Sequence, residues 1–533
     1  MFSTNRIANT WLCVVLLVGA VILRGLFVAS YRLMFHPLSK YPGPWLAKIS
    51  DGYSAWYSIK VDLHLRIEEA HAKYGPMVRI GPNKLIVNSA TALQEIYRKD
   101  DVRKAQNYEA MLSIPGVFNT HTCIDKTLHR RKRKVVNQAF SDSSIRAFEP
   151  TMIKNIDIFI DQLVRHCQCH QNLDEWSEPL DMSTVTQRLA LDVMGEFGFG
   201  RTFDMQTSDT NRFLIDAIRA TSRVVGLFYQ YPRLKKLGVE EWLKTGIWTR
   251  SKFGELVKGM VQKRLSEEAD ASHDLFSFII NAKDPETGQG FTLEELWCES
   301  RLFIIAGSDT SSTAMAAAFF YLSRNPECKK KLHTLIRETF SNAEEIRTGP
   351  KLASCGYLRA CIDEAMRMSP PITGALLREV VSEGGMVIDG EHVSAGVNVG
   401  TSLYSIHHNN SVFDNPWKYD PNRWMGLESE SEAFVNRQRM QRLAFNPFSL
   451  GSRTCVAQTM AYAEITITLA KILWYFDFRI PGGPLGQIGA GGEGDRTGRH
   501  RTQEFQLREH LTSHHEGPYL EFSLRSRDSV MSQ

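Results

Sequence analysis

The chain is 533 residues long, 43% hydrophobic and 23% charged, and carries a formal net charge of +4. This balance excludes a disordered or low-complexity chain and leaves ample apolar side chains for a large core. A charge so close to neutral gives no argument for a nucleic-acid partner, and the length fits several average domains or one large enzyme domain.

The N-terminus is apolar. Residues 11–23 are unbroken apolar or small sequence, Arg24 interrupts, and residues 26–29 resume. The stretch approaches the roughly 20 residues that a membrane-spanning helix needs. A cleaved signal peptide, with Val28-Ala29-Ser30 as its small-residue site, is the alternative. The cysteines favour an anchor: there are nine, at irregular spacing and without a C-x-x-C pair. Zinc and iron–sulfur sites therefore lack their usual signature, and reduced thiols in a cytosol-facing body are expected. Cys167 and Cys169 read as helix surface and its turn. Arg24, Arg32, Lys40 and Lys48 follow the apolar stretch, against Arg6 alone before it, which sets the downstream side as cytoplasmic. The expected organisation is a membrane anchor over residues 1–30, a non-helical connector over 31–44 stiffened by Pro37, Pro42 and Pro44, and one body over 45–533.

Helical periodicity dominates residues 45–478, with no linker and no repeat. Strand-like segments stand at 77–80, 84–87, 386–393 and 398–401, and again at 519–524. The run His129-Arg130-Arg131-Lys132-Arg133-Lys134 opens a helix-like segment. His129 and Arg133, at i and i+4, face one way and together can hold carboxylates. Arg130, Arg131 and Lys134 point elsewhere, toward solvent or an acidic electron donor.

Thr292 and Glu295 form a capping box. The pattern then continues through Phe303 and Ala306 to Leu322, ahead of Pro326. A helix of about 33 residues spans roughly 50 Å, and with the apolar run 314–320 inside it, it must cross the core. It contains Ala306-Gly307-Ser308-Asp309-Thr310-Ser311. Thr310 can bond back to the carbonyl of Ala306 and bend the helix, and Gly307 weakens it locally. The result is a notch for a small ligand, with Asp309 placed to feed protons through Thr310 and water. A buried small-residue crossing with a satisfied threonine accounts for the same residues.

Glu364 and Arg367, at i and i+3, are a pair that any exposed helix can carry. Arg423, in Tyr419-Asp420-Pro421-Asn422-Arg423-Trp424, completes a Glu–Arg–Arg triad if it is buried and is a surface turn residue otherwise. Farther on, Phe448-Ser449-Leu450-Gly451-Ser452-Arg453-Thr454-Cys455 sets one cysteine just before an apolar helix-like run. The positive end of a helix dipole, its unpaired N–H groups and Arg453 all favour thiolate there. Such a thiolate can ligate haem iron and favour O–O cleavage, although other redox and nucleophilic sites share a low-pKa thiol. Residues 481–500 are Gly-rich and polar, a mobile surface loop or insertion. No phosphate-binding loop, dinucleotide fingerprint, G-x-S-x-G elbow or H-E-x-x-H motif occurs with its required context.

The stretches Ala306 to Thr310, Glu364-x-x-Arg367, Pro421-Asn422-Arg423-Trp424 and Phe448-x-x-Gly451-x-Arg453-x-Cys455 stand in the order seen in the cytochrome P450 family, which the chain resembles. The connector from His36 to Pro44 is similar to that of many membrane-anchored fungal members, and the likeness runs from Tyr31 to Arg525. The resemblance implies a mainly α fold with a small β region, preceded by a transmembrane helix, and a haem b cofactor. Cys455 would be the axial thiolate and metal ligand, with Phe448 packed beside it. His129, Arg133, Arg378 and Arg453 would bind the propionates. Glu364, Arg367 and Arg423 would lock the haem-side core. Asp309 and Thr310 would deliver protons. The substrate pocket would draw on Ile114, Val117 and Phe118, on Phe303 and Ala306, and on Ile372, Thr373 and Ala375. These are mostly small or apolar, which points to an apolar substrate. The chain departs from the family at His129, where Trp is frequent, and at Ala457, where Gly is usual; one extra methyl against the haem face is expected to be tolerated.

The expected activity is a monooxygenase using O2 and electrons from NADPH, passed by a separate NADPH-cytochrome P450 reductase. The expected location is the endoplasmic reticulum membrane, single-pass, with the catalytic domain cytosolic. Fungal relatives point to hydroxylation or a related oxidation of a polyketide, terpenoid or alkaloid. A haem-thiolate isomerase, dehydratase or peroxygenase, or a non-catalytic haem sensor, are the alternatives.

Overall fold

The apolar N-terminal stretch forms one helix, Phe2–Met34. Its span Trp11–Met34 has a mean hydropathy of 2.7 and is not covered by the rest of the protein, which makes it a candidate transmembrane helix. The helix passes the boundary expected at residue 30. The first proline is Pro37, which restricts only its predecessor His36, so residues 31–34 stay helical. Arg32 donates to the carbonyl of Ile49, and Arg79 Nη1 donates to the carbonyl of Arg32 at 2.8 Å, tying the helix end to the body. The computed structural model describes residues 2–168, 176–239, 247–266, 275–281, 283, 288–426 and 432–525.

The body is built around the helix Leu293–Arg324. Thr292 Oγ1 accepts from the amide of Glu295, and Glu295 Oε2 accepts from the amide of Thr292, so the expected capping box is present. At 32 residues the helix is about 48 Å long. Residues 314–322 are almost completely buried. It packs against the helices Met182–Phe199, Gly356–Met368 and Gln458–Tyr475. Gly307 lets Met194 pack close at the first crossing: a Cβ there would lie 2.3 Å from Met194 Sδ, and the methionine side chain would have to move.

The β structure is small and lies to one side. A five-stranded sheet runs in the order Met77–Gly81, Lys84–Val87, Asn398–Gly400, Arg378–Val380 and Val102–Lys104. A hairpin joins Met386–Ile388 to Glu391–Val393, and Tyr519–Leu524 pairs with both Phe476–Arg479 and Leu180–Asp181. The Gly-rich segment 481–500 folds back on the body. Arg499 donates to the carbonyls of Leu507 (2.7 Å) and Val61 (3.1 Å), and Arg66 donates to that of Thr497. No disulfide joins the described cysteines. Cys167 is buried against the carbonyl of Phe522, not surface as the sequence suggested, and Cys169 lies outside the described residues.

Buried titratable groups predict the pH of maximum stability. Burial raises the carboxyls of Glu299 and Glu504 to about 7 and those of Glu464 and Glu509 to about 8. The unfolded chain loses these protons near pH 4.5, so each carboxyl withdraws stability as pH rises from there to about 8. Burial lowers His71 and His510 to about 4 and His407 and His515 to about 3, with His64 and His408 also well below 6.5. Unfolded rings take protons below pH 6.5 while these do not, so stability falls as pH drops below 6.5. The depressed rings outnumber the raised carboxyls. Melting temperature measured against pH should therefore peak near 6.5 and fall on both sides.

Candidate active site

One large cavity, about 540 Å³, lies between the long helix and the loop that carries Cys455. The loop is held by a bond from the amide of Cys455 to the carbonyl of Phe448, 2.8 Å long. Gly451 sits at φ +69° with its α-carbon against the carbonyl of Tyr97, which a Cβ would approach to 2.2 Å; only glycine closes this turn. Phe448 lines the cavity and packs on Tyr462 at a centroid distance of 5.0 Å. The free surface of Cys455 opens onto the cavity.

The electrostatics of the thiol differ from expectation. The helix starts at Gln458, with Ala457 as N-cap, so Cys455 precedes the helix instead of opening it. Arg453 turns away and donates to the carbonyls of Cys123 (2.6 Å) and Ile124 (3.3 Å). Burial raises the Cys455 thiol above its ordinary value, and the amide of Ala457 and the Arg133 guanidinium only partly oppose this. A coordinating metal ion deprotonates a thiol outright, which this site needs if Cys455 is to act as thiolate.

One part of the cavity is cationic. His129, Arg133, Arg378 and Arg453, the residues expected to bind propionates, all line it. Lys104 and His121 join them. Arg133 Nη1 donates to the carbonyl of Thr454 (2.6 Å), Arg378 Nη1 to that of Leu376 (3.0 Å), and Lys104 to that of His121. Lys104 and Arg378 are direct partners across two antiparallel strands, a like-charge pairing that is unfavourable by itself. Burial and mutual repulsion lower Arg453 to about 10 and His129 to about 3, and push Lys104 and His121 well down. Among the described lining residues Glu464 is the one carboxyl, and it is not bonded to these cations. A cluster of buried cations suits a ligand with two carboxylates, and the donor set fits haem: these side chains would hold its propionates and Cys455 would hold its iron.

Asp309 and Thr310 separate. Thr310 lines the cavity and donates back to the carbonyl of Ala306 at 2.6 Å, as its spacing predicted. The carboxyl of Asp309 is buried and accepts from Gln187 Nε2 (3.0 Å) and Thr512 Oγ1 (2.7 Å), not from Thr310. Burial raises it to about 6 against the pull of these two donors. Glu464 lines the cavity beside Ser311; burial raises it to about 8, and its Oε1 has no partner.

Glu364 and Arg367 are both fully buried and joined by two bonds of 2.8 Å. Arg423 Nε donates to Glu364 at 3.2 Å, so the triad exists. The carboxylate also accepts from Trp424 Nε1 (3.1 Å) and the amide of Asp420 (3.0 Å). Arg367 Nη1 bonds the carbonyls of His407 and Pro416, both at 2.8 Å.

Of the substrate-lining residues expected, Phe303, Ala306 and Ile372 line the cavity. Thr373 and Ala375 do not. Ile372 and Leu376 face in, while the Thr373 carbonyl accepts from Ser402 Oγ and the amide of Tyr404, and Ala375 bridges to Ser402. Ile114, Val117 and Phe118 do not line it either. They form a turn closed by the amide of Val117 on the carbonyl of Ile114, and Pro115, Asn119 and Thr120 face the cavity instead. Leu511 and Thr512, in the turn after the Gly-rich segment, complete the lining. Sequence reasoning missed Lys104, His121 and Thr512. The Lys104–Arg378 strand register was the nearest signal, and it needs the sheet to be known.

The family model described as Cytochrome P450 matches residues 42–488. The chain belongs to the cytochrome P450 family. Two fungal relatives of this P450 match over nearly the whole chain. "Cytochrome P450 monooxygenase AKT7" of Alternaria alternata is 38% identical over 92% of this chain and 94% of its own length. "Cytochrome P450 monooxygenase apf7" of Gibberella fujikuroi is 35% identical over 98% and 99%. In fold, the P450 matches the crystal structure of cytochrome P450DA heme domain with a TM-score of 0.71 at 17% identity, over 92% of this chain and 98% of that one. It is thus a haem-containing P450 monooxygenase, an oxidoreductase with a candidate membrane-anchoring helix.

Proposed function

We propose that this monooxygenase hydroxylates, or oxidises in a related way, an apolar small molecule of fungal secondary metabolism: a polyketide, terpenoid or alkaloid. The supporting observation is the apolar wall of the cavity, formed by Val224, Val225, Phe228, Leu302, Phe303 and Leu511. Phe303, Ala306 and Ile372 are the substrate contacts retained from the sequence reading. Electrons come from NADPH through a separate cytochrome P450 reductase. Bound haem supplies activation of O2 and transfer of one of its atoms to carbon. Cys455 is the residue that would hold the iron, with Phe448 beside it. His129, Arg133, Arg378 and Arg453, with Lys104 and His121, bind the propionates by charge-assisted hydrogen bonds. Glu364, Arg367 and Arg423 keep the haem-side core in register. Thr310 orients water in the cavity, and Asp309 holds a proton for it.

The helix Phe2–Met34 anchors the protein by a single pass, with the body on the cytosolic face of the endoplasmic reticulum membrane. Exposed Trp45, Leu46, Trp56 and Ile59 lie close behind the anchor in the chain and suit that surface. Arg130 is exposed for an acidic reductase face, whereas Arg131 is engaged by Glu295 at 3.2 Å.

Asp309→Asn removes the proton store. General acid–base groups contribute about 10²–10⁴-fold, so product formation should fall about 100-fold or more while NADPH oxidation continues into peroxide. In the native protein the protonated fraction of Asp309 falls as pH rises through about 6, and product per NADPH should fall with it. Membranes containing the protein and a reductase should convert substrate only with both NADPH and O2. Turnover without them would overturn the monooxygenase reading in favour of an isomerase, dehydratase or peroxygenase.

A further inference from the structure

Thr512 lines two cavities. One is the large cavity above Cys455. The other is small, about 30 Å³, and is bounded by Gln187, Arg219, Asp309, His510, His514 and His515. It is polar and large enough for water. His510 and His514 are half-buried at its rim and stack at 5.7 Å between centroids; His514 and His515 are 6.2 Å apart. His515 is buried, its Nδ1 lies 3.3 Å from Thr313 Oγ1, and its Nε2 has no partner. Asp309 accepts from Gln187 Nε2 on this side and from Thr512 Oγ1 at 2.7 Å, and Ser222, which lines the large cavity, also acts on its carboxyl.

We propose that this small chamber is the solvent-side proton inlet of the site, in which His510, His514 and His515 pass protons through enclosed water to Asp309, and the Thr512 hydroxyl hands them on to the large cavity. The fate of the proton rests on the monooxygenase reading; the inlet itself does not. The transfer balances. The Thr512 hydroxyl donates to ionised Asp309; once Asp309 is protonated the hydroxyl turns, accepts that proton on Oγ1 and releases its own to water in the large cavity. Asp309 is left as carboxylate and recovers a proton from chamber water, which the rim histidines replenish from solvent. The net result is one solvent proton moved inward.

The surroundings suit rings that relay instead of storing charge. Burial, with Arg219, Arg223 and Arg508 facing them, lowers His510 to about 4; burial, Arg219 and the neighbouring rings lower His514 to about 2; burial and Arg219 lower His515 to about 3. A neutral imidazole accepts on one nitrogen and donates from the other. Arg219 also faces Asp309, and its own acidic neighbour is Asp216 at 3.9 Å. The Thr512 hydroxyl has a further neighbour in Ser222 Oγ at 3.3 Å.

The first test needs no turnover. In the resting haem-loaded protein near pH 5.5, the protonated carboxyl of Asp309 gives an infrared band identified by its loss in Asp309→Asn. After rapid transfer to D2O, its isotope shift should lag several-fold in the double variant His510→Phe/His514→Phe, and likewise in the smaller pair His510→Gln/His514→Gln. An unchanged rate in either folded pair overturns the inlet. The second test is Thr512→Val, which should divert NADPH oxidation from product to peroxide and enlarge the solvent isotope effect, with Thr512→Ser restoring both. Native coupling in Thr512→Val overturns the role of Thr512. A protein with no NADPH-dependent product at all would fail the monooxygenase reading and leave the infrared result standing.

Discussion

Cys455→Ser is expected to abolish the thiolate signature in the reduced carbon monoxide difference spectrum while the fold survives. Cys455 makes its structural contribution through the backbone, by the amide bond to the carbonyl of Phe448, and its side chain faces the cavity. Serine preserves both features and changes one atom. What it removes is the soft, electron-donating ligand that favours O–O cleavage. Serine oxygen is harder and far less acidic than a thiol, so haem held by the cationic pole would lack that ligand. Product formation should fall to the background of free haem. The spectrum decides the matter: a thiolate band persisting in Cys455→Ser would refute the assignment.

Glu364→Ala should have the largest effect on folding. The carboxylate is completely buried and receives hydrogen bonds from Arg367, Arg423, Trp424 and the amide of Asp420. Its removal leaves two guanidinium groups without their counter-charge. Breaking a buried pair by deleting one partner costs about 3–5 kcal/mol, a large share of the roughly 5–15 kcal/mol that holds a folded protein together. The expected result is little or no haem-loaded protein, measured by spectroscopic yield, and a markedly lower melting temperature in whatever remains. Arg437→Ala is the control. Its pair with Asp414 is more than half exposed on both sides, so stability should change by about 0–1 kcal/mol. Equal losses in the two variants would remove the special place given to Glu364.

Much of this site was legible from residue types at fixed spacing. The capping box at Thr292, the back-bond from Thr310 to Ala306, and the Glu364–Arg367 pair depend on neighbours three or four residues apart on one helix. Local geometry settles such contacts, and a single chain displays them. The Arg423 contact spans 59 residues, yet motif order in a known family anticipated it. Cys455 was legible for a different reason. A glycine that must adopt positive φ and a cysteine at fixed spacing from it leave a signature in sequence.

The rest depended on which elements packed together. Lys104 comes from a three-residue strand and meets Arg378 only through sheet register. Thr373 and Ala375 were expected in the pocket beside Ile372, but backbone pairing with Ser402 and Tyr404 holds them out of it. Arg453 lies two residues from Cys455, yet its guanidinium follows the carbonyls of Cys123 and Ile124, more than 300 residues earlier. Asp309 and Thr310 are adjacent in sequence but sit on different sides of one helix. The partner of Asp309 therefore became Thr512, from a C-terminal turn. By itself the sequence determined the family, the cysteine loop and the buried ion-pair lock, because these rest on short-range spacing. Only the tertiary structure decided which cations meet at the large cavity, which side chains line it, and that Asp309 turns to Thr512 instead of Thr310. Those properties arise from the directions of side chains on elements far apart in the chain, and burial sets their charge states.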